Sequence, residues 1–243
     1  MRKKYIKYTL LGIFSIFIVI FGGLFAFYGG YLRLNYPSFA KYPIHGLDIS
    51  HHQGIIDWQK LDKKYTQFVF MKATEGVTHV DTLFERNYRE AKKQNIPVGA
   101  YHFFTFCKPG KEQAENFIKT VPKDRSDMPP AIDLEYSGNC KRDNHLENLI
   151  DEISEYIQIV EDYYEKKVVI YATEDFYNDY LVTNLLDNPI WIRDIYREPR
   201  LVNDRPWMFW QYANRGRLKG IETFVDINVF VGTKKDFREL IDN

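Results

Sequence analysis

Eight short runs of apolar and aromatic residues recur along the chain, each bounded by glycine, proline or asparagine, as is typical of β-strands. The predicted strands cover residues 46–50, 67–73, 97–106, 129–136, 167–173, 188–196, 208–213 and 224–230. The first five runs are separated by segments in which apolar residues recur at helical spacing instead. The clearest predicted helices cover residues 81–95, 108–120 and 144–165. The chain therefore alternates between strands and helices over most of its length.

Strands that alternate with helices predict a parallel sheet whose crossover connections are right-handed. Eight strands favour a closed barrel, and the connections among the last strands are short and poor in helical pattern. We therefore predict an α/β fold, a modified TIM-like barrel with five β/α units plus three further strands. The alternative is an open, doubly wound sheet, but the sequence contains neither GxGxxG nor GxxxxGK[ST], the phosphate loops that would favour it.

The apolar segment near the N-terminus differs from these runs in its length. Residues 8–32 form 25 consecutive positions without a charge, and about 20 apolar residues suffice to cross a membrane. The segment ends in FAFYGGYL, which lacks the small-residue site of signal-peptide cleavage. We predict one retained transmembrane helix, the alternative being a long signal peptide that is removed. The basic flank MRKKYIK places the N-terminus in the cytoplasm.

The predicted organisation has three parts. Residues 1–32 form a basic cytoplasmic tip and a transmembrane anchor, residues 33–44 form a linker, and residues 45–243 form one barrel domain. A domain of 199 residues is large enough to bury its own core. We expect a monomeric, single-pass membrane protein whose barrel lies outside the cytoplasm, on the periplasmic or cell-wall side.

Charge is divided unevenly along the chain. All 33 acidic residues follow position 44, where 27 basic residues accompany them, which gives this part a net charge of −6. The balance argues against nucleic-acid binding, which uses a basic surface.

Cys107 and Cys140 each follow a predicted strand. Because export permits disulfides, we predict a bond between them if the strands are neighbours, the alternative being two free thiols.

The predicted strand PPAIDLEY carries two acids in an otherwise apolar run. Residues two apart in a strand point to the same face, so Asp133 and Glu135 share one face while Ile132 and Leu134 share the other. In a parallel barrel the outer face packs on helices, which assigns the two apolar residues to that face. The acids then point inward at the carboxyl end of the strand, where barrel enzymes have their active sites.

The same alternation occurs in two other predicted strands. Asp48 lies between Leu47 and Ile49, and Asp226 lies between Val225 and Ile227. Together with Asp133 and Glu135, these residues would bring four carboxylates to one mouth of the barrel. Close carboxylates raise the pKa of at least one member, which is what a general acid needs. The alternative is that each acid pairs with an arginine or caps a loop.

Aromatic residues make up 16% of the chain, and several lie near predicted strand ends. Tyr101, Tyr171 and Trp191 would suit a sugar substrate, whose apolar C–H faces stack on rings, although core packing is the alternative for each. His102 is predicted to line or pack the barrel and joins the candidates for substrate binding. No cofactor or metal is predicted, because the histidines form no HExxH motif. The absence of a GxSxG motif argues against a serine nucleophile.

These segments resemble one family when they are taken in order. The motifs are GLDISHHQG, GIIDW, FVFMKATEG, PVGAYHFF, PAIDLE, VVIYAT, PIWIRDIY, FWQY and VDINVF. The sequence resembles the family-25 glycoside hydrolases, the Chalaropsis-type lysozymes, over almost all of residues 45–230. The resemblance implies a modified barrel that cleaves the β-1,4 bond between N-acetylmuramic acid and N-acetylglucosamine in peptidoglycan.

The resemblance also implies roles for individual residues. Glu135 would be the general acid, Asp133 the nucleophile or the stabiliser of the positive intermediate, and Asp48 and Asp226 would complete the acidic cluster. The residues implied to hold sugar are Tyr101, Tyr171 and Gln211. Two features depart from the family pattern: His52 stands where tryptophan is common, and the sixth strand carries Arg193 and Asp194.

Two other functions share features with this one. A chitinase-like enzyme on another N-acetylhexosamine polymer would carry DxxDxDxE, but Ala131 stands where that motif needs an acid. An inactive peptidoglycan-binding module tethered to the membrane would not need both Asp133 and Glu135. The sequence leaves retaining, inverting and substrate-assisted mechanisms open. The separation of the carboxyl groups distinguishes the first two, and the 2-acetamido group of the substrate could itself attack the anomeric carbon.

Overall fold

A computed structural model of the protein describes residues 2–123 and 128–242. The strands in these ranges are β1 Ile44–Ile49, β2 Val69–Glu75, β3 His79–Val80, β4 Val98–Phe103, β5 Ala131–Leu134, β6 Val169–Thr173, β7 Ile190–Arg193, β8 Phe209–Gly216 and β9 Val225–Phe230. The helices are α1 Arg2–Tyr28, α2 Phe84–Lys93, α3 Gly110–Thr120, α4 Leu149–Tyr164, α5 Glu174–Phe176 and α6 Lys234–Asp242. All eight predicted strands and the three predicted helices between them are present, with ends shifted by a few residues.

Eight of the strands close a barrel. β1 pairs with β2, and β4, β5, β6, β7 and β8 follow in order, all parallel to their neighbours. β9 completes the circle by pairing antiparallel with both β8 and β1. The two-residue β3 only extends the end of β2. The predicted modified barrel with helices outside is confirmed.

The reversed direction of β9 decides where its acid lies. Asp226 is the second residue of β9 and stands opposite Asp48, the fifth residue of β1, in the strand register. If β9 ran parallel to the other strands, Asp226 would lie at the opposite end of the barrel. The antiparallel direction therefore brings the two acids to the same mouth.

The alternation of side chains separates two apolar cores. The outer core, between strands and helices, includes Leu47, Ile49, Ile132, Leu134 and Ile227 together with Ile153 and Tyr156 of α4. The inner core fills the barrel with aromatic rings, among them Phe68, Phe70, Trp191 and Phe209. Phe237 of α6 packs on Phe68 and Phe230 and closes the end of the barrel opposite the acids. The outward assignment of Ile132 and Leu134 is confirmed.

The N-terminal helix stands apart from both cores. Within its segment Lys4–Tyr28, an 18-residue stretch has a mean hydropathy of 2.6 and is 0% buried, so the helix is long and apolar enough to cross a membrane. Its length and composition are consistent with the predicted anchor.

The predicted linker, residues 33–44, lies along the wall of the barrel. Tyr42 is buried against Trp207 and Trp210, with ring centroids 6.1 and 5.9 Å away. Lys41 Nζ lies 2.7 Å from Glu198 Oε1, and β1 already begins at Ile44. This segment therefore packs as part of the barrel, and a truncation at residue 45 would remove Tyr42 from the outer core.

Candidate active site

A cavity of about 400 Å³ opens where β1, β4 and β5 end and β9 begins. Its lining residues are Asp48, Ile49, Ser50, His52, Gln53, Lys72, Glu75, Tyr101, Phe103, Asp133, Glu135, Ser137, Gly138 and Asp226. The four acids predicted from strand alternation all line this one cavity.

Asp48 and Asp226 form the deeper pair of acids. Asp48 Oδ2 accepts hydrogen bonds from Asn228 Nδ2 at 2.7 Å and from Gln211 Nε2 at 3.0 Å. Burial raises the pKa of Asp48 in spite of these donors. Burial and the charge of Asp48 raise the pKa of Asp226 well above its usual value. We infer that the Asp226 carboxyl stays protonated and donates a hydrogen bond to the Asp48 carboxylate. The pair then carries one negative charge.

Asp133 and Glu135 form the second pair. Burial raises the pKa of Glu135 to about 7, against the opposing effect of Arg193. Burial and the charge of Glu135 raise the pKa of Asp133 well above its usual value. Asp133 is only 8% exposed, and its Oδ1 has no hydrogen-bond partner among the residues that the structure describes. A carboxyl that holds a proton near neutral pH suits general acid catalysis.

Two cations that the sequence reasoning did not assign to the site face these acids. Lys72 Nζ is 2.6 Å from Glu75 Oε2 and 4.6 Å from the centroid of the Phe103 ring, and its charge lowers the pKa of Asp133 and Glu135. Arg193 lowers the pKa of Glu135, Asp48 and Asp226. With one proton retained in each pair, the four acids carry two negative charges, which Arg193 and Lys72 oppose, although Lys72 also pairs with Glu75. Lys72 could have been found from alternation, because it lies two residues after the inward-facing Phe70.

The predicted sugar-binding residues divide into two groups. Tyr101 lines the cavity. Tyr171, Gln211 and Trp191 are buried below it, where the Tyr171 hydroxyl donates to Gln211 Oε1 at 3.2 Å and Trp191 Nε1 donates to Asn228 at 2.8 Å. Because Gln211 and Asn228 in turn donate to Asp48, this layer fixes the orientation of an acid. Substrate contact by these three residues stays a prediction.

The substrate-binding role predicted for His102 is wrong. The ring is fully buried on the outer face of the barrel, where it stacks on Tyr156 of α4 at 5.0 Å and contacts Gln113 of α3 through Nε2 at 3.1 Å. Alternation along β4 gives the reason, since Tyr101 and Phe103 line the cavity and His102 between them must face outward. A register shift in β2 turns Thr74 outward as well, and its Oγ1 lies 2.7 Å from His102 Nδ1.

The structure shows where His52 and Asp194, two residues that depart from the family pattern, lie. His52 lines the rim of the cavity, beside His51, with ring centroids 4.0 Å apart. Asp194 instead fixes a loop, because its Oδ1 accepts from the backbone N–H groups of Tyr196 and Arg197 at 2.8 and 3.0 Å. Among residues 2–123 and 128–242, no three His, Cys, Asp or Glu side chains are grouped as metal ligands.

Cys107 and Cys140 lie side by side, on the loops that follow β4 and β5. Both are free thiols in this structure. Burial, and to a smaller extent a hydrogen bond with Cys107, raises the pKa of Cys140 to about 11. The two loops are neighbours, as the sequence reasoning required. The bond itself stays a prediction.

We expect the exported protein to contain a Cys107–Cys140 disulfide, since the thiols are in contact and a bond would join two loops of the cavity. Thiol titration under denaturing conditions should find no free thiol before reduction and two after it. Cys140→Ser should expose one thiol and lower the free energy of unfolding by about 3–4 kcal/mol, the cost of releasing a loop of some tens of residues. Two titratable thiols without reduction would contradict the prediction.

Comparison with known proteins places this geometry among related chains. The sequence profile described as Glycosyl hydrolases family 25 matches residues 47–221. A family 25 glycosyl hydrolase from Bacillus anthracis has a similar structure, with a TM-score of 0.79, 41% identity, and coverage of 86% of this chain and 98% of that one. The uncharacterized protein YegX of Escherichia coli O157:H7 is 35% identical over 84% of this chain and 75% of its own length. Lysozyme M1 of Streptomyces globisporus is 29% identical over 82% of this chain and 72% of its own.

Proposed function

The chain belongs to glycosyl hydrolase family 25 and is a glycoside hydrolase of the lysozyme type, and we propose that it is a membrane-anchored muramidase. Its reaction would be hydrolysis of the β-1,4 bond between N-acetylmuramic acid and N-acetylglucosamine in peptidoglycan. The observation that carries this proposal is Glu135, a half-buried carboxyl with a pKa of about 7 beside three further acids. The N-terminal helix would hold the barrel outside the cytoplasm, where peptidoglycan lies.

The proposed chemistry uses Asp133 of β5 and Glu135, the residue that follows this strand, in different ways. Glu135 gives its proton to the glycosidic oxygen as the bond to the anomeric carbon breaks, so that the leaving sugar departs as a neutral alcohol. Asp133 and Glu135 retain one proton between them, so Asp133 is ionised when Glu135 carries that proton. In this state Asp133 stabilises the positive charge on the anomeric carbon. Water then adds its hydroxide to that carbon and returns a proton to Glu135, which completes the hydrolysis.

The other charged groups of the cavity set the electrostatic environment of Glu135 and Asp133. Asp48 and Asp226 share a proton and add negative charge below the site, which favours the proton on Glu135 and the positive transition state. Lys72 and Arg193 offset part of this negative charge. Tyr101 is the aromatic ring on the cavity wall and is the candidate for stacking on sugar.

Digestion of purified peptidoglycan tests the function directly. We expect the full chain in detergent to release fragments whose new reducing ends are N-acetylmuramic acid. Chemical reduction of the products followed by acid hydrolysis and chromatography identifies the sugar at each new end. A new glucosamine end would assign the enzyme to a different bond. No cleavage across the pH range from acidic to alkaline would reject the enzymatic proposal in favour of a binding module.

The pH profile should respond to Arg193. A general acid works below its pKa, so kcat/KM should fall about tenfold per pH unit above pH 7 as Glu135 loses its proton. Because Arg193 lowers the pKa of Glu135, Arg193→Gln should move this alkaline limb to higher pH. Arg197→Gln is the control, since Arg197 pairs with Asp194 and Glu174 away from the cavity. An alkaline limb that stays in place or moves down would contradict the assigned roles.

A further inference from the structure

The chain that leaves α1 turns directly onto the barrel. Gly30 is buried and has a φ of +72°, and a side chain at this position would collide with the carbonyl oxygen of Arg215 and the ring of Phe224. Arg217 Nε donates a hydrogen bond to the carbonyl oxygen of Gly29. The end of the helix is therefore fixed to the barrel by close contacts, and only glycine fits the closest one.

This contact lies at the same end of the barrel as the cavity. β8 ends and β9 begins at the cavity mouth, so the loop between them, residues 217–224, lies on its rim. Gln53 lines the cavity, and its Nε2 donates to the carbonyl oxygen of Phe224 at 3.0 Å. The hydroxyl of Thr223 donates to the carbonyl oxygen of His52, also on the cavity wall, at 3.4 Å. The anchor and the cavity wall thus contact one and the same loop.

The length of α1 indicates which of its residues lies at the outer boundary of the hydrocarbon core. From Tyr8 to Tyr28 the helix rises about 30 Å at 1.5 Å per residue, which matches a hydrocarbon core of about 30 Å. Tyr28 then lies at the outer boundary of the hydrocarbon. The Arg215 guanidinium carbon lies 5.1 Å from the centroid of the Tyr28 ring, which places Arg215 at the level of the headgroups.

The surface around this point has the composition of a membrane interface. We define the headgroup face as the apolar and aromatic residues Tyr28, Tyr31, Leu32, Leu34 and Tyr36, all more than half exposed, with the cations Arg215, Arg217 and Lys219. Tyrosine is enriched where hydrocarbon meets headgroups, and arginine and lysine extend from that level toward phosphates. The adjoining loop contributes one acid, Glu222, against these three cations.

We propose that the headgroup face rests on phospholipid headgroups and that the cavity consequently opens beside the membrane surface. The guanidinium groups would donate paired hydrogen bonds to lipid phosphates, and the exposed tyrosines and leucines would enter the boundary of the hydrocarbon. The consequence for the substrate rests on the proposed function: the glycan strands within reach would be those nearest the membrane. The far end of the barrel, at α6, would point away from the lipid.

Fluorescence quenching by lipid tests this orientation without requiring activity. The full chain is reconstituted into phosphatidylcholine vesicles that contain a lipid with a nitroxide on its headgroup. Thr223→Trp places a fluorophore on the loop at the cavity rim, and Lys234→Trp places one at the far end, about 20 Å away by the length of a six-residue strand. Emission of the unaltered protein is subtracted to remove the native tryptophans.

We expect the added emission of Thr223→Trp to be quenched at least twofold more strongly than that of Lys234→Trp. Gly30→Val should abolish this difference, because the β-branched side chain forces the helix end off the barrel. Gly22→Val is the matched control and should keep the difference, since no atom lies within 4 Å of a Cβ built at Gly22. Equal or absent quenching at both positions, or an unchanged difference in Gly30→Val, would overturn the proposal. A protein that shows the quenching but fails to cleave peptidoglycan would overturn the proposed function alone.

Discussion

Replacing Glu135 with glutamine is expected to lower kcat on peptidoglycan by about 10²–10⁴-fold, the range over which a positioned general acid contributes to a rate. Glutamine has nearly the same shape and can still donate a hydrogen bond, but it cannot transfer a proton to the glycosidic oxygen. The leaving sugar would then depart as an alkoxide, which is a poor leaving group. The measurement is the rate of release of reducing ends at pH 6, where the native carboxyl is mostly protonated.

Two controls distinguish the loss of chemistry from the loss of structure. Glu147→Gln removes an exposed acid outside the cavity and should retain full activity. The circular dichroism spectrum and thermal midpoint of Glu135→Gln should match or exceed those of the native protein, because a half-buried carboxyl is replaced by a neutral group. If Glu135→Gln keeps more than a tenth of the native rate, another residue is the proton donor.

Strand alternation alone predicts most of the acidic site. Asp133, Glu135 and Asp48 follow from the rule that every second residue faces inward, and the outer core confirms the complementary positions of Ile132 and Leu134. Asp226 needs one more fact, the antiparallel direction of β9, which no local pattern reveals. Alternation predicts that Asp226 faces the interior of the barrel, but it does not predict the end of the barrel at which Asp226 lies. The antiparallel direction of β9 brings Asp226 to the cavity mouth.

The misassignment of His102 and the omission of Lys72 have different physical origins. A substrate-binding role for His102 contradicts the alternation of β4, where Tyr101 and Phe103 line the cavity and His102 between them faces outward. Lys72 obeys the alternation of β2, but a lysine in an apolar strand is expected at an edge, not facing a buried carboxyl. What stabilises it there is the set of acids on other strands, and that proximity exists only after the barrel has closed.

The packing of residues 33–42 also depends on contacts that are distant in sequence. Their polar and proline-containing pattern is typical of a linker, yet Asn35 Nδ2 donates to the carbonyl oxygen of Asp194 at 3.4 Å, and Tyr42 is buried. The partners lie more than 150 positions away, on β8 and the loops around it. Local periodicity therefore predicts which elements form but not which surface segments pack on them.

Replacing Asp133 with asparagine is expected to separate activity from stability. The rate of peptidoglycan cleavage should fall about 10²–10³-fold, the range for losing one electrostatic stabiliser of a transition state. The same change should raise the thermal midpoint at neutral pH. A carboxyl whose pKa is raised on folding costs nothing below its unfolded pKa, near 4, and costs progressively more as the pH rises toward its folded pKa. Asparagine is neutral throughout and does not carry that cost.

The expected signature is therefore a difference in thermal midpoint between Asp133→Asn and the native protein that is near zero at pH 4 and grows toward pH 7.5. Each kcal/mol should appear as about 2–4 °C for a chain of this size. Asp187→Asn is the control, since Asp187 is exposed and should show no such growth. A difference that is independent of pH would mean that burying the Asp133 carboxyl costs no free energy at neutral pH. The four acids would then not share protons as proposed. A difference that grows with pH while the rate falls would show that the fold tolerates a destabilising carboxyl at the position where the reaction requires negative charge.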